Sequence, residues 1–190
     1  MSDAVRTNIM NHARRLFAER GSAGVSMRDL AHAAGVSPSV TYHYFKDKDI
    51  LLRAVFDHDG TQLGVERAAL PPQATAADSL RQRITFQFDH GEQITFILKY
   101  YMQYRPSFAK QAQGFVPHTA YLHIKEVLEQ GIATGEYGPM NIDAQAKIIT
   151  HAINGFVLEY FPDAPSGAER EQLIDELVQF ISRALAPVRE

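Results

Sequence analysis

Residues 26–52, SMRDLAHAAGVSPSVTYHYFKDKDILL, carry the densest set of local signals in the chain. Ser26 is a good helix N-cap. Asp29, three residues on, completes a near capping box, because the two residues can satisfy each other's orphan backbone N–H groups. Met27, Leu30, Ala31 and Ala34 recur at spacings of three and four, which gives one apolar helical face. Gly35 stands where the helix needs a residue able to turn left-handed. Ser37 caps again, with Pro38 at the first helical position, where a missing N–H is harmless. Two helices joined by a three- or four-residue glycine turn make a helix-turn-helix.

The second of these helices has the face of a DNA reader. Ser39, Tyr42, His43 and Lys46 fall on one side, with Tyr44 beside them, while Thr41 and Phe45 point back toward the first helix. A polar and aromatic face with hydrogen-bonding tips suits a major groove. Lys46 and Lys48 flank Asp47, the expected cap of the next helix, whose exposed N–H groups together with Lys48 can hold a phosphate. The plainer reading, a helical pair that spends its tyrosines on its own core, loses ground because Phe45 and the alanines already supply that core.

The 190 residues allow one helical domain of ordinary size plus a small module. The absence of cysteine excludes disulfides, thiolate metal sites and thiol nucleophiles. No stretch resembles a signal peptide or an 18-residue apolar span, so a cytoplasmic protein is expected, with no membrane partner. Net charge is −3, but it is unevenly placed. Residues 1–50 hold seven Lys and Arg against five Asp and Glu, and the remaining 140 hold twelve against seventeen. The basic end coincides with the helix-turn-helix, as a phosphate-binding footprint requires.

Outward from that stretch, everything reads as helix. The first spans Asp3 to Arg20, with Val5, Ile9, Ala13, Leu16 and Phe17 inward and Arg6, Arg14 and Arg15 outside. A long helix from Asp47 to about Ala69 contains Gly60 and Gly64, which together suggest a kink or compliant joint. Its Asp57-His58-Asp59 triplet points three ways on a helix and makes a poor metal site. Pro71-Pro72 is the one clear linker. Helices follow over about 75–90, 92–104 (ended by Pro106 and buried on most sides), 107–113, 118–134, 143–161 and 168–185. No segment alternates with period two long enough for a strand. The expected fold is all-α, about nine helices, divided into a helix-turn-helix domain over residues 1–47 and a larger helical domain over 48–190.

The first fifty residues resemble the DNA-binding domain of the TetR family, the tetracycline-repressor-type bacterial regulators. Ala13, Leu16 and Phe17, then Gly21, Ser26 through Gly35-Val36-Ser37, Tyr42, Phe45, Lys48 and Leu51 carry the likeness. The resemblance implies DNA contacts from Ser26 and Arg28 on the first motif helix, from Ser37, Ser39, Tyr42 and His43 on the recognition helix, and from Lys48 to phosphate. In one place this sequence departs from the pattern. The family usually sets a small polar residue and then an aliphatic one before the tyrosine, and here Val40 precedes Thr41. Two expectations follow, that Thr41 sits inward with its hydroxyl bonded locally and that Val40 faces a thymine methyl.

The resemblance also implies a larger domain that binds a small effector and forms a homodimer. The last two helices have apolar stripes too wide for one partner, as a four-helix bundle across a two-fold axis requires. Tyr100, Tyr101, Tyr104 and Tyr121 are candidates to line an aromatic-walled pocket, since a buried tyrosine hydroxyl needs a partner. The expected function is a repressor released from a palindromic operator by a small, mostly apolar molecule, with no cofactor and no metal. A ligand-independent regulator or activator is the alternative. A helical enzyme fits least, because His90, His118, His123 and His151 include no pair at metal-ligand spacing on one helical face and no catalytic residue stands out.

Overall fold

The computed structural model describes residues 3–108, 116–161 and 163–187, and the short helix expected over 107–113 lies almost wholly outside them. Among the described residues there are nine α-helices and no strand: α1 (Asp3–Arg20), α2 (Met27–Ala33), α3 (Pro38–Tyr44), α4 (Lys48–Ala68), α5 (Ala76–Asp89), α6 (Gly91–Phe108), α7 (Val116–Thr134), α8 (Ile142–Tyr160) and α9 (Gly167–Leu185). No helix among the described residues is long and apolar enough to cross a membrane.

The helices assemble into two compact units, Met1–Val65 with Glu92–Gln113, and Glu66–Gly91 with Gly114–Glu190. The first unit therefore joins the three N-terminal helices to most of α4 and to α6. Its core is an aromatic column: Phe17 stacks on Phe96, Phe96 on Tyr100, and Tyr100 meets both Phe56 and Tyr104 with ring centroids 4.6 Å apart. Arg14, expected outside, is instead half-buried. Its Nη1 donates to the buried Asp59 at 2.9 Å and its Nε to Glu92 at 2.8 Å, which ties α1 to α4 and α6. A guanidinium can leave the surface here because Asp59 has left it too, and each would be costly without the other. Burial raises the Asp59 carboxyl above the usual range, and Arg14 opposes that.

Two further expectations change. Proline was to end α6 before Pro106, yet the helix continues to Phe108. A proline in a terminal turn forfeits little more than one intrahelical bond. Nor is α6 buried nearly all round: Ile94 to Ile97 and Tyr100 are inside, but Met102 is largely exposed. In α4 the helix passes unbroken through Gly60 and Gly64.

The second unit has α5 at its centre, packed on α7, α8 and α9. Leu80, Ile84, Leu128, Ile149, Ile153, Leu177 and Ile181 form its core. Thr75 caps α5, as expected from its spacing to Asp78. The same helix start receives a second cap from far along the chain, since the Glu136 carboxylate accepts from Ala76 N–H at 3.0 Å and Ala77 N–H at 3.3 Å. Gly135 holds the intervening turn at φ 78°, a left-handed conformation that glycine adopts without strain.

Candidate nucleic-acid interface

The geometry begins with the two caps. Ser26 N–H and Oγ both donate to Asp29 at 2.8 and 2.6 Å, and Asp29 N–H donates back to Ser26 Oγ at 3.2 Å, so the capping box is complete. Those bonds hold the Asp29 carboxyl below its ordinary range. Gly35 sits at φ 65°, and Val36 N–H reaches the Ala31 carbonyl, which closes α2 and aims the chain at α3. At Ser37 the side chain accepts from Val40 N–H, and its hydroxyl is 2.8 Å from that of Ser39. Asp47 caps α4 by accepting from Ile50 N–H at 2.8 Å.

This frame sorts the residues of α3. Thr41 and Phe45 are 0% and 1% exposed, whereas Tyr42 is 50% exposed and Ser37, Ser39, His43 and Lys46 are open to solvent. Val40 and Tyr44 are half-buried, and the Tyr44 ring meets that of His43 edge-on. Ser26 and Arg28 are exposed on α2. The inward placement of Thr41 is as expected, but its hydroxyl finds no hydrogen-bond partner among the described residues, so the local bond does not form.

Two basic side chains have structural employment that the sequence did not announce. Lys48 Nζ donates to the carbonyls of Ser22 at 2.6 Å and Val25 at 3.1 Å, fastening the α1–α2 connection to the start of α4. Arg6 lies over the Phe45 ring, 5.3 Å from its centroid.

The tyrosines singled out for a pocket are divided. Tyr100, Tyr101 and Tyr104 belong to the first unit, where Tyr100 is in the aromatic column and the Tyr104 hydroxyl is 3.5 Å from Asp49. Tyr121 belongs to the second, where its hydroxyl donates to Asp143 at 2.6 Å. The second unit also holds a cavity that the sequence did not point to, with Arg67, Arg83, Gln87, His123 and Thr150 on its polar side and Ile124 and Ile153 on its apolar side. Its members come from α4, α5, α7 and α8, and a grouping so dispersed along the chain has no local signature. No cluster of His, Asp or Glu among the described residues has the makings of a metal site.

Comparison with known proteins agrees with this arrangement. The family described as "Bacterial regulatory proteins, tetR family" matches residues 9–55, the stretch that spans α1 to the first turns of α4. The HTH-type transcriptional regulator BetI of Brucella suis is 39% identical over 71 residues, which is 37% of this chain and 36% of that protein. The chain thus matches only about a third of that relative's length. Over nearly the whole chain the fold is similar to that of a tetR-family regulatory protein from Rhodococcus RHA1, with TM-score 0.72, 20% identity and full coverage of both chains. It is also similar to a protein from Saccharomonospora viridis described as a transcriptional regulator and crystallised with choline. That likeness has TM-score 0.77 and 19% identity, over 98% of this chain and all of the other.

Proposed function

We propose that this chain, whose residues 9–55 match the family described as "Bacterial regulatory proteins, tetR family", is a tetR-family, ligand-responsive transcriptional repressor acting on operator DNA in the cytoplasm. The observation that carries the reading is the division of α3, with Thr41 and Phe45 wholly inside and Ser39, Tyr42 and His43 outside on a doubly capped helix. Such a helix offers its polar tips to base edges while its backbone stays rigid. In this reading Ser37, Ser39, Val40, Tyr42 and His43 meet the major groove, and Ser26, Arg28 and Lys48 meet phosphates.

A single recognition helix covers one half-site, so useful affinity calls for two copies and a palindromic operator. The last two helices support a homodimer. Ile148 on α8 is 61% exposed and Phe180 on α9 is 73% exposed, and both lie on faces that the chain's own core leaves uncovered. An isologous contact between two copies would cover them. Phe180→Asp should leave the fold intact and shift the protein toward monomer in sedimentation.

In this reading a small, mostly apolar effector binds in the helical domain over 48–190. Binding that favours one orientation of α4 by about 1–3 kcal/mol would change DNA affinity roughly 5–150-fold. Choline, seen in the Saccharomonospora protein, is one compound to try, although Arg67 and Arg83 would repel its quaternary ammonium.

The deciding experiment is fluorescence anisotropy of the full chain on DNA flanking its own coding region, against scrambled DNA, over a range of salt. Sequence-specific binding that weakens steeply with salt and is lost in Tyr42→Ala is expected. Equal affinity for both DNAs would overturn the reading. Specific binding that no small molecule alters would favour a ligand-independent regulator or activator instead.

A further inference from the structure

The corner between α1 and α2 is held by a helix far along the chain. The last carbonyls of a helix have no partner within it. Gly21 N–H donates to that of Phe17 at 3.0 Å, and Lys99 Nζ on α6 donates to that of Ala18. A cation at this end of a helix also answers the negative pole of its dipole. Further along α6, Gln103 Oε1 accepts from the Ser22 hydroxyl at 2.8 Å. Before Lys99, the Phe96 ring stacks on that of Phe17 with centroids 6.2 Å apart. Phe96, Lys99 and Gln103 are spaced three and four apart, so a single stripe of α6 meets the end of α1. Ala18 and Ser22 are buried, and water is a poor substitute there for a lost partner.

What this corner carries is the start of α2, with the Ser26–Asp29 capping box and Arg28. Lys48 fastens the same connection from α4, at the Ser22 and Val25 carbonyls. At the other end of α2, Asn8 Nδ2 donates to the Ala34 carbonyl at 2.8 Å. Both ends of α2 are therefore fixed by side chains from other helices. The tetR-family match ends at residue 55, so the α6 stripe lies outside it, yet α6 and the three N-terminal helices belong to one compact unit.

We propose that Lys99 and Gln103 are positioning residues for DNA recognition: they hold the start of α2 where Ser26 and Arg28 set the register of the recognition helix on the duplex. The proposal rests on the operator-binding reading above, and neither residue touches DNA in it. Contacts to phosphate fix register while base edges supply the sequence information. Sequence-independent attraction follows charge and tolerates a small shift of α2, whereas hydrogen bonds from α3 to base edges do not. Loss of the α6 fastenings should therefore cost discrimination between sequences rather than affinity for DNA in general.

The test is fluorescence anisotropy of the full chain and its variants on the flanking DNA and on scrambled DNA, beside their thermal unfolding midpoints. Lys99→Met should weaken operator binding roughly tenfold, the cost of about one base pair's contacts. Scrambled DNA should change by less than about twofold, with the salt slope on operator unaltered. Gln103→Leu should act in the same direction, and Lys99→Arg, which keeps a charged donor, should recover most of the affinity. Lys147→Met on α8 removes the same charge elsewhere and should change neither DNA. Operator preference that survives both Lys99→Met and Gln103→Leu would overturn the proposal, even with a lowered midpoint, because the bonds would then be purely structural. Equal weakening on both DNAs, Lys147→Met matching Lys99→Met, or Lys99→Arg no better than Lys99→Met would overturn it too. So would a salt slope reduced by about one, the mark of a direct phosphate contact. An unaltered chain that prefers neither DNA sinks the operator-binding reading itself. A parent that prefers operator, with variants that match it, sinks the positioning role alone.

Discussion

The Tyr137 ring lies so close to the backbone of Gly131 that a Cβ on residue 131 would stand 2.0 Å from Tyr137 Cδ2. Tyr137 N–H also donates to the Gly131 carbonyl at 2.9 Å. The end of α7 and the turn after it are thus interlocked through a missing side chain. Alanine would ordinarily favour a helix by about 1 kcal/mol over glycine. Gly131→Ala should nevertheless destabilise the protein by about 2 kcal/mol, because the buried ring must leave its place. A midpoint lowered by roughly 4–8 °C in calorimetry is the expected result, and an unchanged or raised one would contradict the packing described.

At residue 41 the opposite sign is expected. The Thr41 hydroxyl is buried and has no hydrogen-bond partner among the described residues, and valine has the same shape without it. Thr41→Val should stabilise the protein by about 1 kcal/mol, read as a shift of the urea midpoint, with operator affinity unchanged. Val40→Ala is the complementary variant. If Val40 touches a thymine methyl, operator preference shifts; if preference is untouched, Val40 is off the reading surface.

Glu136 governs part of the acid response. Its carboxylate accepts first from Ala76 N–H, then from the Thr134 hydroxyl and Ala77 N–H, and these bonds hold it below its ordinary range. A depressed folded-state value means the unfolded chain binds the proton more readily. The stabilisation is therefore present above the usual glutamate range and is lost as pH falls below about 4.5. Glu136→Gln should remove that segment of the stability–pH curve and lower neutral stability by about 1 kcal/mol, a low figure because solvent screens the site. A variant curve parallel to the parent's between pH 3 and 5 would show that the carboxylate does not act this way.

Gly60 and Gly64 test coupling. A Cβ on Gly64 would meet nothing within 4 Å, so Gly64→Ala should raise stability by about 0.5–1 kcal/mol. If α4 flexes there during induction, Gly60→Ala with Gly64→Ala will blunt effector-driven DNA release while basal DNA affinity stays the same. Full induction in the double variant would remove the joint from the mechanism.

What the sequence made legible was local. Ser26, Asp29, Gly35, Ser37, Asp47 and Thr75 act within three or four residues of themselves, and each was found where its spacing put it. The inward turn of Thr41 and Phe45 followed from helical period alone. What stayed hidden was long-range pairing of charge. Arg14 meets Asp59 across 45 residues and Glu136 meets Ala76 across 60, while Arg67 and Arg83 are separated by the Pro71-Pro72 linker. Period and propensity describe a helix against solvent or core, and say nothing about which buried cation awaits which anion. The run of α6 through Pro106 was missed for a related reason, since a rule about interior proline overstates its effect in a terminal turn.

The 21 residues of α4 form one unbroken rod, about 30 Å long at 1.5 Å per residue. A rod of that length converts angle into distance. Pivoting by about 6° at its Ala68 end would carry Lys48, and the recognition helix just before it, through roughly 3 Å, close to the rise of one base pair. Operator half-sites are spaced to within such a step. In the proposed repressor dimer, a lever of these proportions would need no large rearrangement at its Ala68 end to throw two recognition helices out of register.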